Sequence, residues 1–195
     1  MNNKLLIVLF TLLWTGINAQ NWENDHYCTR IPGKISDSKK DITQIVPSLF
    51  TENYDLKYYR YDWYIDPAVW YIQGTVTTYF EIIGKDQHSI SFDFTNNLEV
   101  DSIVWRGKKI DFKQSDSYRL DVNFPQALAE NALDSISITY HGEPPTSGFG
   151  SFIQDQHGGV PILWTLSEPF GAQDWWPCKN GLDDKIDSID VLVTT

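Results

Sequence analysis

The sequence predicts an all-β fold: a large antiparallel β-sandwich or open, saddle-like sheet. Three observations lead there. After Tyr54 the apolar residues recur with period two, the spacing of a strand with one buried face. Clusters of Gly, Pro, Asn and Asp break these runs at strand-like intervals. The chain is also rich in aromatics, with 8 Trp, 10 Tyr and 10 Phe in 195 residues, and aromatic side chains favour strands.

The elements follow in order. Tyr59, Tyr61, Trp63 and Ile65 share one face, with Arg60 and Asp62 on the other. After a turn at Asp66-Pro67, Ile72, Val76, Phe80 and Ile82 repeat the pattern. Ile90, Phe92 and Phe94 alternate with Ser89, Ser91 and Asp93. Val100 to Trp105 and Lys109 to Phe112 flank Arg106-Gly107-Lys108, which reads as a hairpin tip. Tyr118, Leu120, Val122 and Phe124 alternate, as do Ile136, Ile138 and Tyr140. Gln126 to Leu133 is the one stretch suited to a helical turn or two. Residues 141–159, rich in Gly, Pro and Ser, read as a loop, and Val160 to Leu166 as a strand. Asp187 to Thr195 alternates Ile189, Val191 and Val193, a further strand. These runs imply about eight to ten strands by the usual strand length. Each should bury one face and wet the other, as antiparallel sheets do.

Residues 1–19 read as a secretory signal peptide. Lys4 supplies the positive start, Leu5 to Trp14 the apolar run, and Ala19 the small residue at the cleavage position. The run is too short to span a bilayer. The expected location is therefore exported, periplasmic or extracellular. Residues 20–50 read as an irregular N-terminal arm, and 51–195 as the β domain. Export permits a disulfide between Cys28 and Cys178, with a buried free thiol at Cys178 as the alternative.

Charge and motif content exclude several functions. A net charge of −11 repels phosphate backbones, which argues against nucleic-acid binding. The histidines His26, His88, His141 and His157 form no His-Glu-x-x-His pair, so the chain offers no metal site and needs no cofactor of its own. No Gly-x-Ser-x-Gly elbow and no phosphate-cradling glycine loop occur. The densest unusual stretch runs from Trp164-Thr165-Leu166-Ser167-Glu168-Pro169-Phe170 to Asp174-Trp175-Trp176-Pro177-Cys178-Lys179. Glu168 leaves a strand where a carboxylate could face a cleft and hold an ammonium group. Trp175 and Trp176 suit core or interface anchors.

At these residues the chain resembles the N-terminal β domain of the M1 zinc aminopeptidases, particularly secreted bacterial members. The family's opening strand is matched by Tyr54-Asp55-Leu56, and the next by Ile72-Gln73-Gly74-Thr75-Val76. Its Thr-Gln-x-Glu motif is matched by Thr165-Leu166-Ser167-Glu168, and its aromatic-Pro-Cys by Trp176-Pro177-Cys178. Asp183-Asp184-Lys185 and Ile189 to Val193 complete the match. The resemblance implies that Glu168 binds the free α-amino group of a peptide substrate, with Leu166 and Ser167 as pocket neighbours. Leu166 stands where the family has Gln, and Gln173 and Asp174 where basic residues are usual. It also implies a zinc-bearing catalytic domain as partner, in cis in a full-length enzyme, which this chain lacks. The chain alone is then expected to be inactive. Two alternatives stand beside this reading. One is a free-standing secreted binding module for carbohydrate or protein, with Trp63, Trp70, Trp105 and Trp164 as its platform. The other is a subunit that docks to a separately encoded peptidase domain.

Overall fold

The computed structural model describes residues 51–115, 117–146, 151–168, 170–181 and 184–195. The leader, the arm, His26 and Cys28 lie outside the described residues, as do Pro169 and Asp183 of the motif stretch.

Among the described residues there are eleven strands. They are β1 (Tyr54–Tyr64), β2 (Ile72–Ile82), β3 (Gln87–Asp93), β4 (Leu98–Trp105), β5 (Lys108–Ile110) and β6 (Phe112–Ser115). Then come β7 (Arg119–Leu128), β8 (Leu133–Gly142), β9 (Phe152–His157), β10 (Val160–Thr165) and β11 (Ser188–Thr194). A six-stranded sheet has the order β11-β1-β2-β8-β4-β5; β3-β7-β6 form a second sheet and β9-β10 a third. The expected antiparallel pairing holds throughout these sheets, except that β11 runs parallel to β1.

The all-β class and the alternation are as the sequence implies. Tyr59, Tyr61 and Trp63 of β1 are buried, and so are Val76 and Phe80 of β2 and Ile136, Ile138 and Tyr140 of β8. The small sheet covers them with Ile90, Phe92, Leu120, Val122 and Phe124. Rings meet across the gap: Trp105 and Phe124 at 5.5 Å between centroids, Tyr54 and Phe92 at 5.7 Å. Burying each such side chain contributes about 1.5–3 kcal/mol. The other face of the large sheet is wet. There Thr75 pairs with Thr139 at 3.0 Å and Thr77 with Ser137 at 2.9 Å, hydroxyl to hydroxyl between adjacent strands.

Two sequence expectations need correction. Gln126 to Leu133 is not helical: β7 continues to Leu128 and β8 begins at Leu133, joined by a turn in which Asn131 has φ of 63°. Pairing of Leu128 with Gln87 overrides the local helix propensity. Residues 141–159 are not all loop. β8 reaches Gly142, and Phe152–His157 is a strand closed onto β10 by Gly158-Gly159. Both glycines have positive φ, 59° and 83°, as a two-residue hairpin of this twist requires.

Gly74 answers a different demand. It lies opposite Trp63 in the β1–β2 ladder, and a Cβ there would sit 2.5 Å from Trp63 Cδ1. The missing side chain is what lets the indole lie flat on the neighbouring strand.

Candidate functional site

The site is the segment that leaves β10. Leu166 N donates to Ser151 O at 3.2 Å, so the β9–β10 pairing continues one step past Thr165. The chain then turns: Gly171 N donates to Ser167 O at 2.7 Å, and a short 3-10 turn follows at Ala172–Asp174. Gly171 is needed at this close approach, because a Cβ would lie 2.5 Å from Ser151 Oγ. Ser151 Oγ itself donates to Asp174 Oδ2 at 2.6 Å, tying the hairpin to the turn.

A hydrogen-bond relay fixes this loop to the core. Trp63 Nε1 donates to Tyr140 Oη at 2.9 Å, and Tyr140 Oη donates to the Trp175 carbonyl at 2.7 Å. Trp175 Nε1 in turn donates to Ser167 Oγ at 3.0 Å. The Trp175 ring packs against Trp63, Phe152 and Trp176, with centroids at 4.7, 5.9 and 4.3 Å. Trp175 and Trp176 are thus anchors beneath the site. Burial pushes the Tyr140 hydroxyl well above the ordinary tyrosine range, so it stays protonated and keeps donating.

Ser167 is therefore held inward, its hydroxyl engaged by Trp175. Its two neighbours are exposed: Leu166 presents an apolar side chain to solvent, and Glu168 a carboxylate. Glu168 has no hydrogen-bond or ion-pair partner among the described residues. A carboxylate free of internal partners, next to a pinned residue, can accept charge-assisted hydrogen bonds from an ammonium donor.

Below the loop, Lys179 and Asp184 form a pair at 2.7 Å, with side chains only 6% and 7% exposed. Lys179 Nζ also donates to Tyr54 O at 2.9 Å, and Asp184 accepts from Leu56 N at 3.2 Å. Together they staple the segment after the Trp-Pro-Cys motif to the start of β1. Asp93 and Cys178 exchange backbone hydrogen bonds in the same region. Cys178 is buried with a free thiol, and burial, then Asp93 and Asp174, push that thiol well above its ordinary range. Sequence reasoning noted Asp184 only as part of an acidic stretch and missed its pairing, since such a contact leaves no periodic trace.

The remaining sequence candidates scatter. His88 and His157 are exposed on separate strands. His141 is half-buried, with Nδ1 3.0 Å from Asp101. Among the described residues, no group of three His, Cys, Asp or Glu side chains could hold a metal ion. The tryptophan platform does not form either. Trp63 and Trp105 are buried, Trp70 is half-buried with Nε1 on the Pro144 carbonyl, and only Trp164 of the four is exposed.

No protein-family model and no curated protein matches the sequence. The fold, however, has relatives among solved structures. The chain is similar to the M1 zinc metallopeptidase from Deinococcus radiodurans, with TM-score 0.62 and 22% identity, over 76% of this chain and 34% of that one. A mutant of the Deinococcus radiodurans enzyme bound to a Tyr-Ser-Ala substrate gives TM-score 0.63 and 23% identity, over 76% and 34%. Native leukotriene A4 hydrolase from Saccharomyces cerevisiae gives 0.56 and 17%, over 71% and 23%. The chain spans about a third of the length of the Deinococcus proteins it matches. It has the fold of an N-terminal portion of the M1 zinc metallopeptidases.

Proposed function

We propose that this chain is the substrate-side portion of an exported M1-like zinc aminopeptidase, and that Glu168 anchors the protonated amino terminus of the peptide. The observation that carries the reading is the exposed Glu168 carboxylate, without a partner among the described residues, beside Ser167, which the Trp175 indole pins. An α-ammonium group carries three donors and one positive charge, the complement of such a carboxylate. The shared fold and the Thr165–Glu168 motif support the same role.

The residues described here do not fit a zinc ion. The chain's own contribution is to bind and orient: Glu168 fixes the amino end, and Leu166 offers an apolar neighbour. The metal belongs to a zinc-bearing catalytic part that this reading supplies as partner. Export rests on the leader at 1–19 and is part of the same proposal.

The test is Glu168→Gln in the enzyme that contains both parts. Losing a charged hydrogen bond costs about 1.5–3 kcal/mol, or roughly 10- to 150-fold in kcat/KM. That loss should appear for substrates with a free amino terminus and not for N-acetylated ones. Equal efficiency of the variant and the parent on free-amino substrates would overturn the anchoring role.

A further inference from the structure

The wet face of the six-stranded sheet has aromatic rings at two ends and hydroxyls between them. At one end Tyr58 and Tyr79 meet across the β1–β2 ladder, their rings 5.4 Å apart at 67°. Tyr58 Oη donates to Asp190 Oδ2 at 2.8 Å, which fixes its ring, and Tyr79 beside it is 48% exposed. At the other end Tyr64, 50% exposed, lies opposite Gln73. Tyr71 lines the same hollow, its ring 6.2 Å from that of His141, whose Nδ1 is held 3.0 Å from Asp101. Along β1, Tyr58 and Tyr64 stand roughly 20 Å apart at the usual rise of a strand. Each end is a groove, about 750 Å³ at Tyr58 and Tyr79 and about 580 Å³ at Tyr64 and Tyr71. Between them run the paired hydroxyls Thr75–Thr139 and Thr77–Ser137. In each pair one hydroxyl donates, and the other keeps its proton for an outside acceptor.

The rest of the face decides what could lie there. Its apolar side chains, Leu192, Leu133 and Val104, stand on three different strands, so it lacks the apolar centre of a protein interface. Its cations are poorly placed for a polyanion. Arg60 is held by Asp62, and Lys57 by Asp55 and Glu81. Lys109 sits on the edge strand β5. Glu99, Asp101 and Asp190 add negative charge. What remains is rings, hydroxyls and acceptors along an extended strip. A chain of neutral sugar rings is its complement. The C–H face of a pyranose stacks on an aromatic ring, and its hydroxyl rim exchanges hydrogen bonds with hydroxyls, amides and carboxylates.

We propose that this face binds an extended, neutral oligosaccharide, which stacks on Tyr79 and Tyr64 and is hydrogen-bonded by the hydroxyl pairs between them. The site is separate from Glu168 and does not rest on its role. It gives the protein a means of staying on a polysaccharide.

Affinity electrophoresis of the full protein tests it, in gels containing hydroxyethylcellulose, mixed-linkage β-glucan, galactomannan, glycol chitin or amylose, with polygalacturonate as the anionic comparison. The expected result is retardation by at least one of the neutral polymers and none by polygalacturonate. Tyr79→Thr and Tyr64→Thr, chosen to suit a strand, should each weaken that retention roughly tenfold. Tyr79→Phe keeps the ring and should keep most of it. Trp164→Ala, which removes the exposed indole of β10, should leave it unchanged. In titration calorimetry the hexasaccharide of the retained polymer should bind roughly tenfold more tightly than its disaccharide, because only the longer ligand reaches both ends. Retardation by none of the neutral polymers overturns the proposal. So does equal retardation by polygalacturonate, retention that survives both threonine variants, loss on Trp164→Ala, or equal affinity for the short and long sugars. Glu168→Gln should leave retention untouched, so failure here leaves the amino-terminus reading standing. Circular dichroism matching the parent shows that each variant is folded.

Discussion

Lys179→Met should be among the most damaging single changes in the domain. The substitution removes the ammonium and keeps most of the stem, so packing is largely spared. It leaves the Asp184 carboxylate 7% exposed, with its ion partner at 2.7 Å gone and the Leu56 amide still donating to it. It also strips a donor from the Tyr54 carbonyl and a cation 5.2 Å above the Tyr54 ring. Breaking a buried pair from one side costs about 3–5 kcal/mol, mostly because the remaining charge is stranded. For a domain of this size that corresponds to a drop in Tm of roughly 6–20 °C, at about 2–4 °C per kcal/mol. The double change Lys179→Met with Asp184→Leu removes both charges and should recover most of the loss. Urea denaturation of the four members of the cycle, followed by tryptophan fluorescence, gives the coupling energy. As a control, Asp62→Asn breaks an Arg60–Asp62 pair whose side chains are 47% and 40% exposed, and should change the midpoint little. A Lys179→Met effect no larger than that control would refute the claim that this pair is desolvated and staples the loop to β1.

Three further outcomes are expected. Gly74→Val should destabilise the domain by about 1–3 kcal/mol, because its Cβ would collide with the Trp63 indole and the Asp62 carbonyl, the closest approach being 2.5 Å; an unchanged urea midpoint would contradict the packing. The Cys178 thiol, raised by burial and by Asp93 and Asp174, should resist Ellman's reagent at neutral pH until the protein is denatured; rapid labelling of the native protein would show the site to be open. Tyr54, Tyr59, Tyr61 and Tyr140 are all raised by burial, so their neutral forms are favoured in the folded state. Stability is then level below the unfolded tyrosine pKa of about 10 and falls above it by about 1.4 kcal/mol per pH unit for each buried phenol. The contribution of these four to absorbance at 295 nm should rise in one cooperative step with unfolding, and gradual titration of all tyrosines in a folded protein would contradict the burial.

Much of the fold was legible because buried strands write themselves into the chain. Tyr59, Tyr61 and Trp63 alternate with Arg60 and Asp62, and the structure buries the first set and wets the second. β9 was illegible for the converse reason. Gln154, Asp155, Gln156 and His157 show no alternation, since that strand holds its place through pairing with Val160 to Leu163. Gln126 to Leu133 carries Ala127, Ala129 and Ala132, good helix formers, and distant partners, Gln87 for Leu128 and Glu81 for Leu133, mark parts of it as strand. The sequence singled out Glu168 and its loop through motif spacing. It could not reveal that Ser167 points inward to Trp175, or that Lys179 meets Asp184, because both depend on how the loop closes.

The parallel pairing of β1 with β11 bears on how the domain folds. Tyr58 and Asp190, hydrogen-bonded across the two strands at 2.8 Å, are 132 positions apart in the sequence. Nearly the whole described chain must be in place before the outer edge of β1 is satisfied. Contacts of such long range are formed against a large loop-closure cost and slow folding. During synthesis β1 therefore waits with one edge open, in the company of Tyr59, Tyr61 and Trp63, until Ser188–Thr194 arrives. A nascent chain in that state is sticky, and the arrival of β11 is the event that satisfies the open edge of β1.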